Sequence, residues 1–156
     1  MTGEGGCGIA TPVRVATAAG VTLEPSAILA CDTARALADW LRRGVEASFA
    51  ALGEHLEAVT VADAYSCRNR NRAAEGILSE HAFGRAIDIG GFRLGDGTIV
   101  TVVDDWSTPR WSPVLRRIRD AGCGPFGTVL GPEANPLHAD HLHLDIARRR
   151  SGPFCE

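Results

Sequence analysis

Apolar residues recur every three to four positions between Asp32 and Gly53, the spacing of one face of an α-helix. Asp32 is expected to cap this helix, because a short polar side chain accepts hydrogen bonds from the first free backbone N–H groups. Gly53 is expected to end it, since glycine readily adopts the left-handed conformation that follows helices. The periodic positions are Ala34, Leu37, Leu41, Val45, Phe49 and Leu52. The pattern predicts an amphipathic helix over 32–53 with one face on the core.

The remaining pattern predicts strands and one further helix. Alternating or short apolar runs indicate extended segments at 12–16, 21–23, 59–65, 126–130 and 141–146. The apolar residues of 86–94 and 98–103 flank Gly95, Asp96 and Gly97, which predicts a β-hairpin. Ser112 as a cap and Pro113 in the first turn predict a helix that ends at Gly122. We expect an α+β fold with a small antiparallel sheet flanked by helices.

Size and composition restrict the class of protein. The chain has 156 residues, 45% of them apolar and 22% charged, which is typical of one soluble globular domain. The net charge of −3 does not favour a nucleic-acid partner, and no apolar stretch is long enough to span a membrane. Every one of the 16 Lys-or-Arg positions is arginine, which excludes lysine chemistry. We expect one domain over 1–156 that acts as a monomer.

Five cysteines in a chain of this size indicate an oxidising compartment. They are Cys7, Cys31, Cys67, Cys123 and Cys155. Two disulfides and one spare thiol are the simplest arrangement, and spacing alone leaves the pairing open. The first residues have neither the basic nor the apolar region of a signal peptide. We therefore expect a piece of a longer periplasmic or exported protein.

Four of the five histidines fall in two short segments, one with His81 and one with His138, His141 and His143. Because side chains alternate along a strand, His141, His143 and Asp145 are expected on one face. The residues expected on the opposite face, toward the core, are Leu142, Leu144 and Ile146. Two histidines two residues apart on one strand face are a common arrangement for binding zinc.

The other segment, 79–88, supplies the second part of this site. His81 lies at the end of a predicted loop, and Asp88 lies inside a predicted strand. Gly84 and Ala86 are small and permit a tight bend, which would bring His81 and Asp88 to one ion from two sides. With one histidine of the last strand they make three ligands and leave one coordination position open. That pattern is typical of catalytic zinc, whereas structural zinc usually has four protein ligands.

The spacing Ser-x-His-x-x-Gly-x-Ala-x-Asp over 79–88, followed by His-x-His at 141–143, resembles a known signature. It is similar to that of the fold group containing lysostaphin, the D-Ala-D-Ala metallopeptidases and hedgehog-like proteins. Nearly the whole chain also resembles the extensin-like C-terminal domain of proteobacteria. The matching segments are 7–8, 65–68, 79–88, 129–132 and 138–145.

The resemblance implies roles for individual residues. His81, Asp88 and His143 match the zinc ligands of the fold group. The histidine-rich end is similar to the penicillin-insensitive murein endopeptidase, which implies that His141 is the general base and that His138 also takes part in catalysis.

Residues around the predicted centre have more than one interpretation. Asp140 stands where the dipeptidase branch has a catalytic glutamate, and we expect it, with Ser79, to orient the histidines. Arg68 matches an arginine that stabilises the transition state in dipeptidases, and a loop salt bridge is the alternative. Asp145 is an orienting residue or an ordinary charge at a strand end. His55 is expected at the surface.

Together these expectations predict a zinc hydrolase that cleaves an amide bond in peptidoglycan stem peptides or crosslinks, more in the manner of an endopeptidase than a carboxypeptidase. Zinc would lower the pKa of water toward about 7, an imidazole would accept its proton and a guanidinium would stabilise the oxyanion. Two alternatives stay open at this point. One is a non-catalytic zinc-containing module that binds cell wall, and the other is a zinc amidase acting on a different cell-surface amide.

Overall fold

The computed structural model describes residues 1–156, except for the side chain of Glu4. The strands are β1 Pro12–Ala18, β2 Val21–Ala30, β3 Leu56–Asp63, β4 Ala86–Leu94, β5 Ile99–Thr101, β6 Thr128–Leu130, β7 Leu142–Asp145 and β8 Phe154–Cys155. The helices are α1 Cys31–Trp40, α2 Ala47–Ala50, α3 Val102–Asp105 and α4 Ser112–Gly122, and a π-helical segment, Leu41–Glu46, joins α1 to α2. Short 3₁₀ turns lie at Glu4–Gly6, Arg70–Arg72, Glu80–Phe83 and Pro136–His138. The predicted α+β class is confirmed.

The strands form one mixed sheet, which corrects the prediction of a small antiparallel one. The strand order is β1-β2-β3-β4-β7-β6-β8, and β5 pairs with β4. The pairs β2–β3 and β6–β8 are parallel, and the other pairs are antiparallel. The helical segment 31–50 carries the chain from the end of β2 to the start of β3, and a crossover of this kind allows neighbouring strands to run parallel. Periodicity within each strand does not contain this information.

The long amphipathic helix was predicted correctly in its buried face but not in its start. The periodic residues Leu37, Leu41, Val45 and Phe49 are fully buried, whereas Leu52 is 48% exposed. α1 begins at Cys31, so Asp32 lies inside the helix and pairs with Arg35 instead of capping. Gly53 follows the helix with φ 75°, the left-handed conformation expected of it.

Several strand boundaries differ from the sequence-based expectation, and the difference at β5 comes from local capping. β5 ends at Thr101, where the hydroxyl oxygen accepts a hydrogen bond from the N–H of Asp104 and starts α3. The predicted strand over 98–103 is therefore too long, although its hairpin with β4 is confirmed. α4 spans the predicted residues, but Ser112 is its first helical residue and does not cap it.

Two disulfides are present, which confirms the predicted number; one joins two loops and the other joins the end of α4 to β8. Cys7 pairs with Cys67, and Cys123 pairs with Cys155. Cys31 is the free cysteine within the described part of the chain. Disulfides of this kind fit an extracellular or periplasmic protein. Among the residues described, no helix combines the length and apolarity needed to cross a bilayer.

The paired strands β4 and β7 have two different faces, and this alternation positions the candidate site. Ile87, Ile89, Leu142 and Leu144 are fully buried and belong to the main hydrophobic core. The intervening residues of both strands face the other way. The predicted orientation of 141–146 is therefore confirmed for the residues of β7. The side chains of Asp88, His143 and Asp145 lie on the face opposite the core.

Candidate metal centre

Antiparallel pairing of β4 with β7 places Asp88 directly opposite His143. Their side chains meet, with His143 Nδ1 2.9 Å from Asp88 Oδ1. Both side chains are largely buried, at 12% and 6% exposure. Two residues 55 positions apart in the chain thus become immediate neighbours through strand register.

His81 reaches the same point from a 3₁₀ turn. Ser79 caps this turn, because its hydroxyl oxygen accepts a hydrogen bond from the N–H of His81. Gly84 ends it with φ 64°, and a Cβ at this position would contact Ile9 and lie 2.9 Å from the N atom of Ala30. Only glycine fits such a turn without strain. The tight bend expected around Gly84 is therefore present, and it returns the chain into β4.

The three predicted ligand atoms form a compact triangle. His81 Nε2 lies 3.3 Å from His143 Nδ1 and 3.2 Å from Asp88 Oδ1, and the third edge, between His143 and Asp88, is 2.9 Å. A tetrahedral zinc ion with bonds of about 2.0–2.1 Å separates its ligand atoms by about 3.3 Å. The triangle has nearly the dimensions of one face of that tetrahedron. These residues are the group in the described structure that could hold a metal ion.

A hydrogen bond on the far side of each imidazole ring determines which ring nitrogen carries the proton. The other nitrogen then directs its lone pair toward the centre. His81 Nδ1 lies 2.6 Å from the carbonyl oxygen of Ala64, so it must carry the proton and donate it. His143 Nε2 lies 2.9 Å from Asp145 Oδ2 and donates in the same way. His81 Nε2 and His143 Nδ1 are then unprotonated in the neutral rings. Ring N–H groups held by a carbonyl or a carboxylate are the usual support of metal-binding histidines.

Three acceptor atoms this close together require a positive charge between them. Burial raises the pKa of Asp88, but the hydrogen bonds and charges of His143 and His81 lower it well below its ordinary value. Burial lowers the pKa of His143, but hydrogen bonds to Asp145 and Asp88 raise it to about 9. In the metal-free chain a proton on His143 therefore supplies the charge. The donor set, two imidazoles and one carboxylate, fits a zinc ion equally well.

The other two histidines of the C-terminal segment border this triangle. His141 Nε2 lies 3.6 Å from Asp88 Oδ2, and His141 Nδ1 lies 2.7 Å from Asp140 Oδ1. The ring centroid of His138 is 5.1 Å from that of His141. The Nδ1–H of His138 donates a hydrogen bond to Asn135 Oδ1. Burial and the neighbouring histidines lower the pKa of His138 to about 4. His138 is thus a neutral imidazole at pH 7.

Arg68 forms the salt bridge that was one of its two sequence-based interpretations. Its guanidinium lies 3.1 Å from Asp63 Oδ2 and 4.0 Å from Asp88 Oδ2. Asp63 is opposite Asp88 in the pairing of β3 with β4, so one arginine bridges two adjacent carboxylates. The guanidinium therefore lies at the edge of the centre.

The structure places the predicted site residues together and adds others that sequence reasoning did not assign. Ser79 contacts the backbone N–H of His81 and not its ring, whereas Asp140 contacts the ring of His141. Asp145, left open between two interpretations, orients His143. Asp63 was missed, although it breaks the apolar alternation of its strand, and Asn135 and the Ala64 carbonyl had no sequence signal. His55 is exposed and pairs with Glu46, as predicted for a surface residue.

The fold and the centre define an α+β domain with a buried group of two histidines and one aspartate that could hold a metal ion. The model of the family described as extensin-like protein C-terminus matches residues 1–156. The chain belongs to this family. No curated protein and no solved structure matches the chain.

Proposed function

We propose that the protein is a zinc-dependent hydrolase that cleaves an amide bond in peptidoglycan stem peptides or crosslinks. The observation that carries this proposal is the triangle of His81, Asp88 and His143, with both imidazoles held in the tautomer that a metal requires. Three protein ligands leave a fourth position for water or substrate, as in catalytic zinc sites. The chemistry that zinc supplies at such a site is Lewis acidity, which acidifies water and polarises a carbonyl.

His141 has the geometry of a general base. Its Nδ1–H donates to Asp140, so the lone pair on Nε2 points toward Asp88 and the centre. The Asp140 carboxylate would also stabilise the imidazolium that forms when His141 Nε2 accepts a proton. His138 stands beside His141 as a second imidazole, and its pKa of about 4 keeps it neutral at pH 7. It would therefore take part as a hydrogen-bonding neighbour of the substrate and not as the proton acceptor.

Arg68 would stabilise negative charge at the carbonyl oxygen as the tetrahedral intermediate forms. Asp63 holds its guanidinium at the edge of the centre, and the Arg68 side chain is 19% exposed, so a charge interaction there is stronger than in water. A fixed donor needs no reorganisation during the reaction.

The substrate part of the proposal rests on the resemblance of the two motifs to peptidases of the lysostaphin and D-Ala-D-Ala fold group. The segment 138–143 is similar to the murein endopeptidase, which favours cleavage of a crosslink over removal of a terminal residue. A periplasmic location, which the two disulfides fit, would give the protein access to this polymer.

The test combines metal analysis with product identification. The purified chain is expected to bind one zinc ion and to convert crosslinked muropeptides into monomers that chromatography and mass spectrometry identify. Intact crosslinks and intact stems after incubation with the zinc-loaded protein would contradict the proposal. Parallel reactions with uncrosslinked stem peptides and with other cell-surface amides distinguish the activities. Cleavage of the stems alone would indicate a carboxypeptidase, and cleavage of the other amides alone would indicate an amidase.

One observation favours a second candidate, a zinc-containing module that binds cell wall without turnover. Asp63 and Asp88 already neutralise Arg68, which reduces the positive charge available for an oxyanion. The variant His141→Ala separates the two candidates. In an enzyme it lowers turnover by about 10²–10⁴-fold while zinc content and muropeptide affinity stay near wild type. A wild-type protein that binds but never cleaves would identify the module.

A further inference from the structure

A cavity of about 160 Å³ opens beside the metal centre, and its walls include His81 and His143. A larger cavity, of about 540 Å³, shares part of its lining with the first one. Arg70, Glu80 and Arg149 line both cavities, so the two form one groove that leads away from the centre. A substrate with its amide at the metal would extend into this groove.

The groove is positively charged in a protein that is otherwise acidic. The larger cavity is lined by one carboxylate, Glu80, and by four arginines, Arg70, Arg85, Arg148 and Arg149. Glu80 is shared between Arg70, at 3.6 Å, and Arg85, at 3.9 Å. Neither Arg148 nor Arg149 has a carboxylate within 4.0 Å among the side chains that the structure describes. The net charge of the whole chain is −3, so this local excess of cations is not a general property of the surface.

Arg149 is directed along the sheet toward the centre. Its Nε lies 3.4 Å from the hydroxyl of Thr128, a buried residue that also lines the cavity beside the metal. Thr128 pairs with Asp145 across β6 and β7, and Asp145 holds His143. Thr128 and Asp145 thus lie between Arg149 and the proposed zinc ligand His143. The Arg149 guanidinium stacks over the Phe154 ring, 5.2 Å from its centroid, which holds the cation without neutralising its charge.

We infer that this groove is a carboxylate-binding subsite, in which Arg149 and Arg70 receive a free carboxylate of the peptide whose amide lies at the metal. A guanidinium presents paired N–H donors that match a carboxylate, and such charge-assisted hydrogen bonds are stronger than neutral ones. The inference deepens the proposed function and rests on it for the position of the substrate. It states the substrate class more narrowly: a peptide with a free carboxylate close to the cleaved bond.

The test uses two crosslinked muropeptides that differ only in their carboxyl groups, free in one and converted to carboxamides in the other. Calorimetry on the zinc-supplemented His141→Ala protein measures their affinities, since the bound peptide then stays intact. We expect the free acid to bind about tenfold tighter than the amide. Adding Arg149→Gln is expected to reduce this preference to less than about threefold.

Arg150→Gln is the matched control, because Arg150 is adjacent to Arg149, is exposed as Arg149 is, lines neither cavity and loses the same charge. It is expected to retain the preference. Equal affinities for the two peptides, no binding of either, or equal losses in the two variants would overturn the inference. Displacement of the acid by inorganic phosphate at matched ionic strength, without preference for the acid over the amide, would also overturn it.

Turnover of the same two peptides by the wild-type protein separates this inference from the proposed function. A preference for the free acid without any product means that the subsite stands and the proposed hydrolysis fails. Cleavage of both peptides at equal efficiency means that the hydrolysis stands and the subsite fails.

Discussion

The two faces of the strand pair β4–β7 are both buried, yet burial has opposite consequences on them. On one face Ile87 and Leu144 lie in the hydrophobic core, where exclusion of water is itself stabilising. On the other face Asp88 and His143 are buried among acceptor atoms, where burial is costly unless a positive charge compensates it. The same register therefore makes one face that packing alone stabilises. The other face needs a positive charge, which a proton on His143 or a bound metal ion would supply.

Removing the carboxylate from the polar face is expected to have the largest effect. Asp88→Asn replaces an anionic ligand by a neutral amide at the point where both imidazoles converge. Zinc affinity is expected to fall by more than about 100-fold, since even residues that only support ligands commonly account for about 10–100-fold. Competition with a chromogenic chelator measures this. Near wild-type zinc affinity would show that the triangle is not the metal site.

Shortening a side chain on the apolar face is expected to have the opposite pattern of effects: lower stability of the fold with zinc binding retained. Leu144→Ala leaves a cavity in a fully buried position and is expected to lower the free energy of unfolding by about 2–5 kcal/mol. Zinc stoichiometry of the folded protein is expected to remain at one. Urea titration and metal analysis check the two outcomes. Loss of zinc without loss of stability would show that the two faces are not separable.

The metal-free protein is expected to lose stability as the pH rises from about 6.5 to about 9, because folding raises the pKa of His143. Below pH 6.5 the ring is protonated in both states and its full contribution is present. Above pH 9 the contribution, at most about 3 kcal/mol, is gone. Zinc binding should strengthen over the same range, because metal and proton compete for Nδ1. The difference between the melting temperatures with and without zinc should therefore increase as the pH rises. A difference that does not change with pH would contradict this coupling.

The smallest expected effect comes from the carboxylates that orient the rings. Asp145→Asn weakens the hydrogen bond from His143 Nε2 and is expected to lower zinc affinity by about 10–100-fold. Asp140→Asn is the matched comparison, because it makes the same change behind His141, which is not a proposed ligand. It should reduce turnover while zinc affinity stays unchanged. Equal effects of both variants on zinc affinity would place His141 among the ligands.

Some features followed from the sequence because they depend on neighbouring residues. Alternation along 141–146 predicted which side chains of β7 face the core, and the spacing around Gly84 predicted the tight bend after His81. Helical periodicity predicted the buried positions from Leu37 to Phe49. Capping was less predictable: Asp32 lies inside α1 and accepts a hydrogen bond from Arg35, whereas Thr101, in a segment predicted as strand, caps α3.

By itself, the sequence determined the residue types that can bind a metal, the faces on which they lie and the number of disulfides, because periodicity, bends and cysteine count are local or compositional properties. Only the tertiary structure decided the parallel pairing of β2 with β3, the partners of each cysteine and the support of His143 by Asp145. It alone assembled the arginine-lined groove from separate segments of the chain. These features depend on distances between residues far apart in the chain, and such distances exist only once the hydrophobic core has brought the strands into register.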